Sequence, residues 1–396
     1  MSKEKKTPVA SSAKKTSAKK TSSTTTKKST ISEKKPATAK KASEKKSTTT
    51  SAKKQADTSK KPTTTKKPVA KKATTTPTKK PVKEVVKKAT IGKSEKEGPL
   101  DKYLHAGEIA IKVKELLRKK AKVGASVLEI CEAGEAKIVE LGGKWAFPLN
   151  VSINNIAAHY SAAPDDELVI QSGDLVKLDC GVHVEGYVAD TAFTVSFGSD
   201  HADIIKASEE ATKAAIDMIR PGISTERLGE EIEEIIRSYG YRSIRDLTGH
   251  QLEQNLLHGQ ITIPNIKGVK GHKLEAGQVF AIETFASSGT GNIHPDESKC
   301  LIYQLIPFQV GLRLESSRKA RKIILSDYKD FPFTTRWIAK ELTAPIARLA
   351  LNDLSTKGQI KRYPALCDVK GSIVSQSEHT VFLTENSRVV TTLSNQ

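Results

Sequence analysis

The chain has 396 residues and a formal charge of +20, but that charge is lopsided: residues 1–90 hold 28 Lys, no Arg and 5 acids, a balance of +23, and the remainder comes to −3. Four scattered cysteines with no CxxC pair argue against a zinc knuckle or a disulfide scaffold and suit a reducing compartment. No run of 18 apolar residues occurs, so no membrane span is expected.

Residues 1–95 run as Lys pairs among Ser, Thr, Ala and Pro, with almost no large apolar side chain. Such a segment cannot bury enough surface to offset its ordering entropy, which predicts a disordered basic tail. Its cationic density suits salt-sensitive contact with RNA, DNA or a ribosomal surface, and a plain solubilising or spacing tail fits as well. No apolar stretch follows MSKEKK, so no secretory signal is expected and a cytosolic protein follows. The remaining stretch of about 300 residues can bury a large core.

Apolar positions at helical spacing predict a helix over 99–122 and a second over 126–141, with Ser126 as N-cap, Glu129 closing a capping box and Gly142-Gly143 as the stop. After a Pro- and Asn-punctuated loop, 174–184 and 187–197 read as strands. Helices follow at about 202–219, ended by Pro221-Gly222, and at 225–238, capped by Ser224 or Thr225 and ended by Gly240. Strand-like runs come next at 278–285, 300–306 and 309–313. Residues 326–362 read as an inserted helical piece, and 370–376 and 379–384 return to strand. Helix, helix, strands occurring twice suggests a duplicated α+β unit.

Five residues could converge on metal: Asp179, Asp190, His250, Glu283 and Glu378. Four carboxylates and an imidazole suit hard or borderline divalent cations, and such an oxygen-rich set can hold two of them. Glu185-Gly186 lies midway between the two aspartates and has turn chemistry. A two-residue loop there pairs Val184 with Tyr187, Gly181 with Asp190 and Asp179 with Ala192. The two carboxylates then share a face as diagonal neighbours, roughly 7–8 Å apart at the backbone. Gly181 leaves room beside Asp190. Glu283 interrupts the apolar run QVFAIETF, and Glu378 precedes Val381-Phe382-Leu383. An ionised Glu in such runs is costly unless a cation meets it. His159 in NNIAAHY and His258 in LLHG are further candidates, although a lone loop histidine is more often a surface or hydrogen-bonding residue.

The segments FPLNVSINNIAAHYSAAPDD, GDLVKLDCGVHVEGYVADTAFTV, LTGHQLEQNLLHGQITIPN, GQVFAIETFASSGTGNIHP and ALCDVKGSIVSQSEHTVFL together resemble the type 2 methionine aminopeptidases of archaea and eukaryotes, over about residues 99–396, within a domain read over 96–396. That resemblance implies the pita-bread fold, two pseudo-symmetric α+β halves with a helical insertion at 326–362, here following the basic tail. It also implies two divalent ions (Co, Mn, Fe or Zn) and removal of the N-terminal methionine from nascent polypeptides, with a small second residue preferred. By the same resemblance Asp179 is a bidentate ligand, Asp190 and Glu378 bridge the ions, and His250 and Glu283 complete the second ion. Glu283 is also a proton shuttle. His159 stands at the scissile amide, His258 touches substrate beside it, and Phe147, Leu257, Phe285 and Tyr363 line the methionine pocket. A monomer is expected. The segment Pro148-Leu149-Asn150 departs from versions with Gly at its third position. Two other readings share the fold: a prolidase-type aminopeptidase, which would use much the same ligands, and a non-catalytic RNA- or ribosome-binding relative, which would have lost some of them.

Overall fold

The computed structural model describes residues 98–198, 200–308 and 311–394. The tail read over residues 1–95 lies outside the described residues. No described helix is long and apolar enough to cross a membrane.

The first half contains α1 (Pro99–Lys120), α2 (Val127–Glu140), β1 (Lys144–Trp145), β2 (Asn150–Ile153), β3 (Ile156–Ala158), β4 (Leu175–Val184) and β5 (Tyr187–Ser196). Helix α1 begins on Pro99, whose missing N–H costs nothing at that position, and it buries Ala106, Ile109, Ala110, Val113 and Leu117. Ser126 Oγ accepts from the Glu129 N–H and so caps α2. Strand β4 pairs along its length with β5, and on its other side with β1 and β2. The β4–β5 register has Val184 opposite Tyr187, Gly181 opposite Asp190 and Asp179 opposite Ala192. Glu185 and Gly186 both take positive φ, 52° and 90°. That is the mirror-image turn whose twist suits a two-residue hairpin.

The second half repeats the scheme with α3 (Ala202–Met218), α4 (Thr225–Ser238), β6 (Arg242–Ser243), β7 (Thr248–Leu252), β8 (Thr262–Pro264), β9 (Val279–Ser287) and β10 (His294–Leu305). Then come α5 (Glu315–Asp327), β11 (Phe333–Thr334), α6 (Thr335–Glu341), α7 (Ala344–Thr356), β12 (Ile360–Cys367), β13 (Val374–Leu383) and β14 (Arg388–Val390). Strands β14, β13, β9, β7 and β8 form one antiparallel sheet, with β6 also on β9, and α3 packs against β9 and β13. Strands β11, β10, β12 and β3 form another.

The structure alters several expectations drawn from the sequence. Residues 311–313 are not strand, while β10 is longer than the run 300–306 suggested. The runs 370–376 and 379–384 are one strand, because Ser375, Gln376, Ser377 and Glu378 are polar yet buried within β13. Helix α5 starts well before residue 326, and 360–362 already belong to β12.

The sheet of β1, β2, β4 and β5 meets the six-stranded sheet where β5 lies beside β13, and hydroxyls join them. Thr380 Oγ1 accepts from the Asp190 N–H at 2.7 Å and donates to the Asp190 carbonyl at 2.8 Å. Thr194 Oγ1 does the reciprocal job for Gln376, at 2.8 and 2.7 Å. Between them Thr191 Oγ1 donates to the Glu378 carbonyl and accepts from the half-buried Lys114 amine of α1. A side chain thus supplies each hydrogen bond that a neighbouring strand would otherwise give, and the buried backbone stays satisfied.

A second buried polar contact anchors α6. Arg336 and Glu135 are each at most 3% exposed, and they form a two-point pair at 2.5 and 2.9 Å. The same carboxylate accepts from Trp337 Nε1 and the Leu149 N–H, while Arg336 also donates to Ser161 Oγ and the Ala162 carbonyl.

Candidate metal centre and active site

The site lies on the line where β5 meets β13. Asp179 comes from β4, Asp190 from β5, His250 from β7, Glu283 from β9 and Glu378 from β13. All five line one cavity of about 280 Å³, near the lower end of the roughly 300–1,000 Å³ usual for small-ligand sites. One ligand atom each from Asp190, His250 and Glu378 lies within 4.8 Å of the others. His250 Nε2 stands 3.7 Å from Asp190 Oδ2 and 3.8 Å from Glu283 Oε1. Glu283 and Glu378 face each other directly across the β9–β13 ladder.

Among the described residues no Lys or Arg side chain forms an ion pair with these acids. Gln376 Nε2 donates long bonds of 3.4 Å to Asp179 Oδ2 and Glu378 Oε2, and Asp179 Oδ1 and Asp190 Oδ1 have no partner among the described residues. Burial raises the Asp179 carboxyl from 3.8 to about 7, offset only in part by the Gln376 bond. Burial, then neighbouring acids, hold Asp190, Glu283 and Glu378 well above the carboxylate range. Four clustered acids, two of them buried and two half-buried, with an orphaned oxygen on each aspartate, are stable as anions only if positive charge joins them. The residues therefore fit divalent cations, which prefer such oxygen-rich sets completed by imidazole.

This charge balance makes metal-free stability pH-dependent. Asp179 holds its proton more tightly folded than unfolded, so its contribution is full below about pH 4 and lost as pH rises through about 7. In the presence of a chelator, Asp179→Asn should raise the thermal midpoint of the protein, by a margin that widens from about pH 5 to pH 8. A margin independent of pH in a melting series would contradict the assignment of a buried, proton-holding acid.

The cavity also gathers the expected histidines and most of the expected apolar wall: Phe147, His159, Leu257, His258 and Tyr363 all line it. His159 directly follows β3 at φ 67°, a left-handed conformation uncommon for a residue with a side chain. Its Nδ1 is buried and unpartnered. Burial, and then the charges of His258 and Lys361, lower His159 to about 4, so the ring is neutral near pH 7. His258 is lowered similarly by burial and Lys361. The turn 253–256 folds His258 back beside His250, with ring centroids 4.6 Å apart. The Tyr363 ring meets both His159 (5.6 Å) and His258 (6.4 Å).

Phe285 is a correction: it packs in the core with Ala157, Ala158, Ile244, Leu247 and Val374, and is not among the lining residues. It shares a strand face with Glu283, but Ala158 and Leu247 take the wall in front of it. The room expected beside Asp190 is filled, because a Cβ on Gly181 would meet the Phe147 ring at 2.2 Å. Glycine there lets the ring reach the cavity. Asn150, Thr262, Ile302 and Pro332 line it too and were not foreseen. Gln376 could have been found, since it lies two residues before Glu378 on one strand and so on its face.

The sequence model of metallopeptidase family M24 matches residues 101–317. A methionine aminopeptidase from Pyrococcus horikoshii is 41% identical over 294 residues, covering 74% of this chain and 99% of that protein. One from Methanocaldococcus jannaschii is 41% identical over 292 residues, covering 74% and 98%. In fold, the chain is similar to a thermophilic Arx1 (TM-score 0.67, 21% identity, covering 74% of this chain and 90% of that one) and to a methionine aminopeptidase from Thermotoga maritima (TM-score 0.56, 22% identity, 76% and 98%). The chain belongs to metallopeptidase family M24, whose pita-bread fold the two α+β halves build. Within that family it stands among the methionine aminopeptidases, metal-dependent hydrolases that remove an N-terminal methionine.

Proposed function

We propose that Asp179, Asp190, His250, Glu283 and Glu378 hold the divalent ions of this aminopeptidase, and that His159, His258, Phe147, Leu257 and Tyr363 receive the methionyl end of the substrate. The observation that supports this best is the convergence of four mutually repelling acids, two buried and two half-buried, and an imidazole in one cavity that also holds two neutral histidines. Bound divalent ions acidify water and polarise an amide carbonyl. The rest falls to side chains. Phe147 and Leu257 offer an apolar wall to a thioether chain. His159, neutral and buried, can donate a hydrogen bond to the carbonyl oxygen as charge develops on it. The Glu283 carboxylate, kept ionised by the cations it would hold, can take up the proton that the attacking water loses and pass it to the leaving amine. His258 orients the peptide beyond the bond that breaks. The confined cavity favours a small second residue. Residues 96–396 supply this chemistry, and residues 1–95 contribute cationic contact with nucleic acid or ribosome in the cytosol.

His159→Ala should lower kcat on Met-Ala-Ser by about 10²–10³-fold, the usual cost of losing a transition-state hydrogen-bond donor. KM should change little, since that contact strengthens only as the bond breaks. Unchanged kcat would remove His159 from the reaction. A wild-type enzyme that spares Met-Ala-Ser yet cleaves a Xaa-Pro dipeptide would replace the whole reading by that of a prolidase.

A further inference from the structure

Beyond His159 and His258 the cavity opens into a second space of about 280 Å³, lined by His159, Leu256, His258, Gln304, Lys361 and Tyr363. Three of these also line the main cavity, so the second space is its outward continuation. Its rim is set by the β10–β12 ladder, in which Gln304 faces Lys361 and Ile302 faces Tyr363. Gln304 is held at both ends of its amide: Oε1 accepts from Tyr363 Oη at 2.7 Å, and Nε2 donates to the Asp330 carbonyl at 3.3 Å. The Lys361 ammonium sits 4.4 Å from the Tyr363 ring centroid. That contact steadies the cation over the rim without neutralising it. Among the described residues Lys361 makes no ion pair with a carboxylate. The groups lining this second space include no acid, whereas the inner cavity is rich in them.

We propose that Lys361 is a specificity-determining residue: it forms, with Tyr363 and Gln304, a subsite for an acidic side chain a few residues downstream of the scissile bond. The inference rests on the methionine-removing activity assigned above and adds a substrate preference to it. A peptide whose first residue occupies the inner cavity and whose chain leaves past His159 and His258 crosses this rim. An acidic side chain there meets a positioned cation, and a basic one is repelled by it. Rim pairs of this kind are screened by salt and individually modest.

The test uses the full-length, metal-loaded enzyme and three peptide series, Met-Ala-Xaa-Ser-Gly, Met-Ala-Ser-Xaa-Gly and Met-Ala-Ser-Gly-Xaa, each with Xaa as Glu, Gln or Lys and an amidated terminus. In at least one series kcat/KM for Glu over Lys should be about 3- to 10-fold at low salt, shrinking toward one in high salt. Lys361→Met should bring that ratio close to one, and Lys361→Glu should invert it. Because the ratio is taken within each variant, a change in overall rate or folded fraction cancels. Equal ratios in wild type and both variants, with all peptides cleaved, would overturn the subsite and leave the activity standing. Failure to cleave even the Gln peptides would instead overturn the activity on which it rests.

Discussion

Replacing Asp190 by Asn should cost at least about 100-fold in kcat/KM on a Met-Ala peptide and leave the purified protein with little divalent metal. The lower bound follows because changing residues that merely orient ligands already costs about 10- to 100-fold, and Asp190 is placed to donate directly. It lies within 4.8 Å of His250 and Glu378 donor atoms, it is buried, and Oδ1 has no hydrogen-bond partner among the described residues. An amide keeps the size of the side chain but removes its charge. The metal-free variant should also melt higher than metal-free wild type, since burial and then the Asp179 and Glu283 charges work against an ionised Asp190. Elemental analysis, peptide turnover and a melt in chelator give the three readouts. A variant that kept both metal and turnover would remove Asp190 from the centre.

The second large effect concerns the fold. Arg336→Met should destabilise the protein by about 3–5 kcal/mol, because it strands the buried Glu135 carboxylate without its cation. The Trp337 and Leu149 donors remain, but they cannot neutralise the charge. Pairing the change with Glu135→Leu should recover much of the loss, as buried ion pairs often exchange for apolar groups at little net cost. Denaturant unfolding of both single variants and the double one measures this coupling. A single-variant loss below about 1 kcal/mol would show that the pair does not bear on stability. The perturbation should also reach substrate binding, because Glu135 holds the Leu149 N–H two residues from Phe147.

Much of the first half was legible in the sequence because local chemistry dictates it. Glu185-Gly186 determines a turn, the turn determines a register, and the register puts Asp179 and Asp190 on one face. Helices α1 to α4 carry clear stripes and stops. The second half hid its strands. Strand β7 is five residues long and half polar, so no strand was read around His250. Strand β13 looked broken because periodicity assumes that buried means apolar, whereas its polar stretch is satisfied by Thr191, Thr194 and α3. Phe285 was misjudged for a related reason: alternation gives the face of a strand but not what stands in front of it. The cation at Lys361 and the partnership of Glu135 with Arg336 depend on residues far apart in sequence, which no local pattern encodes.

The hydroxyl-stitched line between β5 and β13 divides the donor set as well as the sheets: Asp179 and Asp190 belong to one side, His250, Glu283 and Glu378 to the other. Neither portion alone would assemble the proposed centre. A chain severed between Ser196 and Ala202 would give two inert fragments, and turnover would reappear only when they dock. On the proposed ligand set, hydrolysis would report completed assembly, and a partly synthesised copy that has yet to add Glu378 would lack the activity.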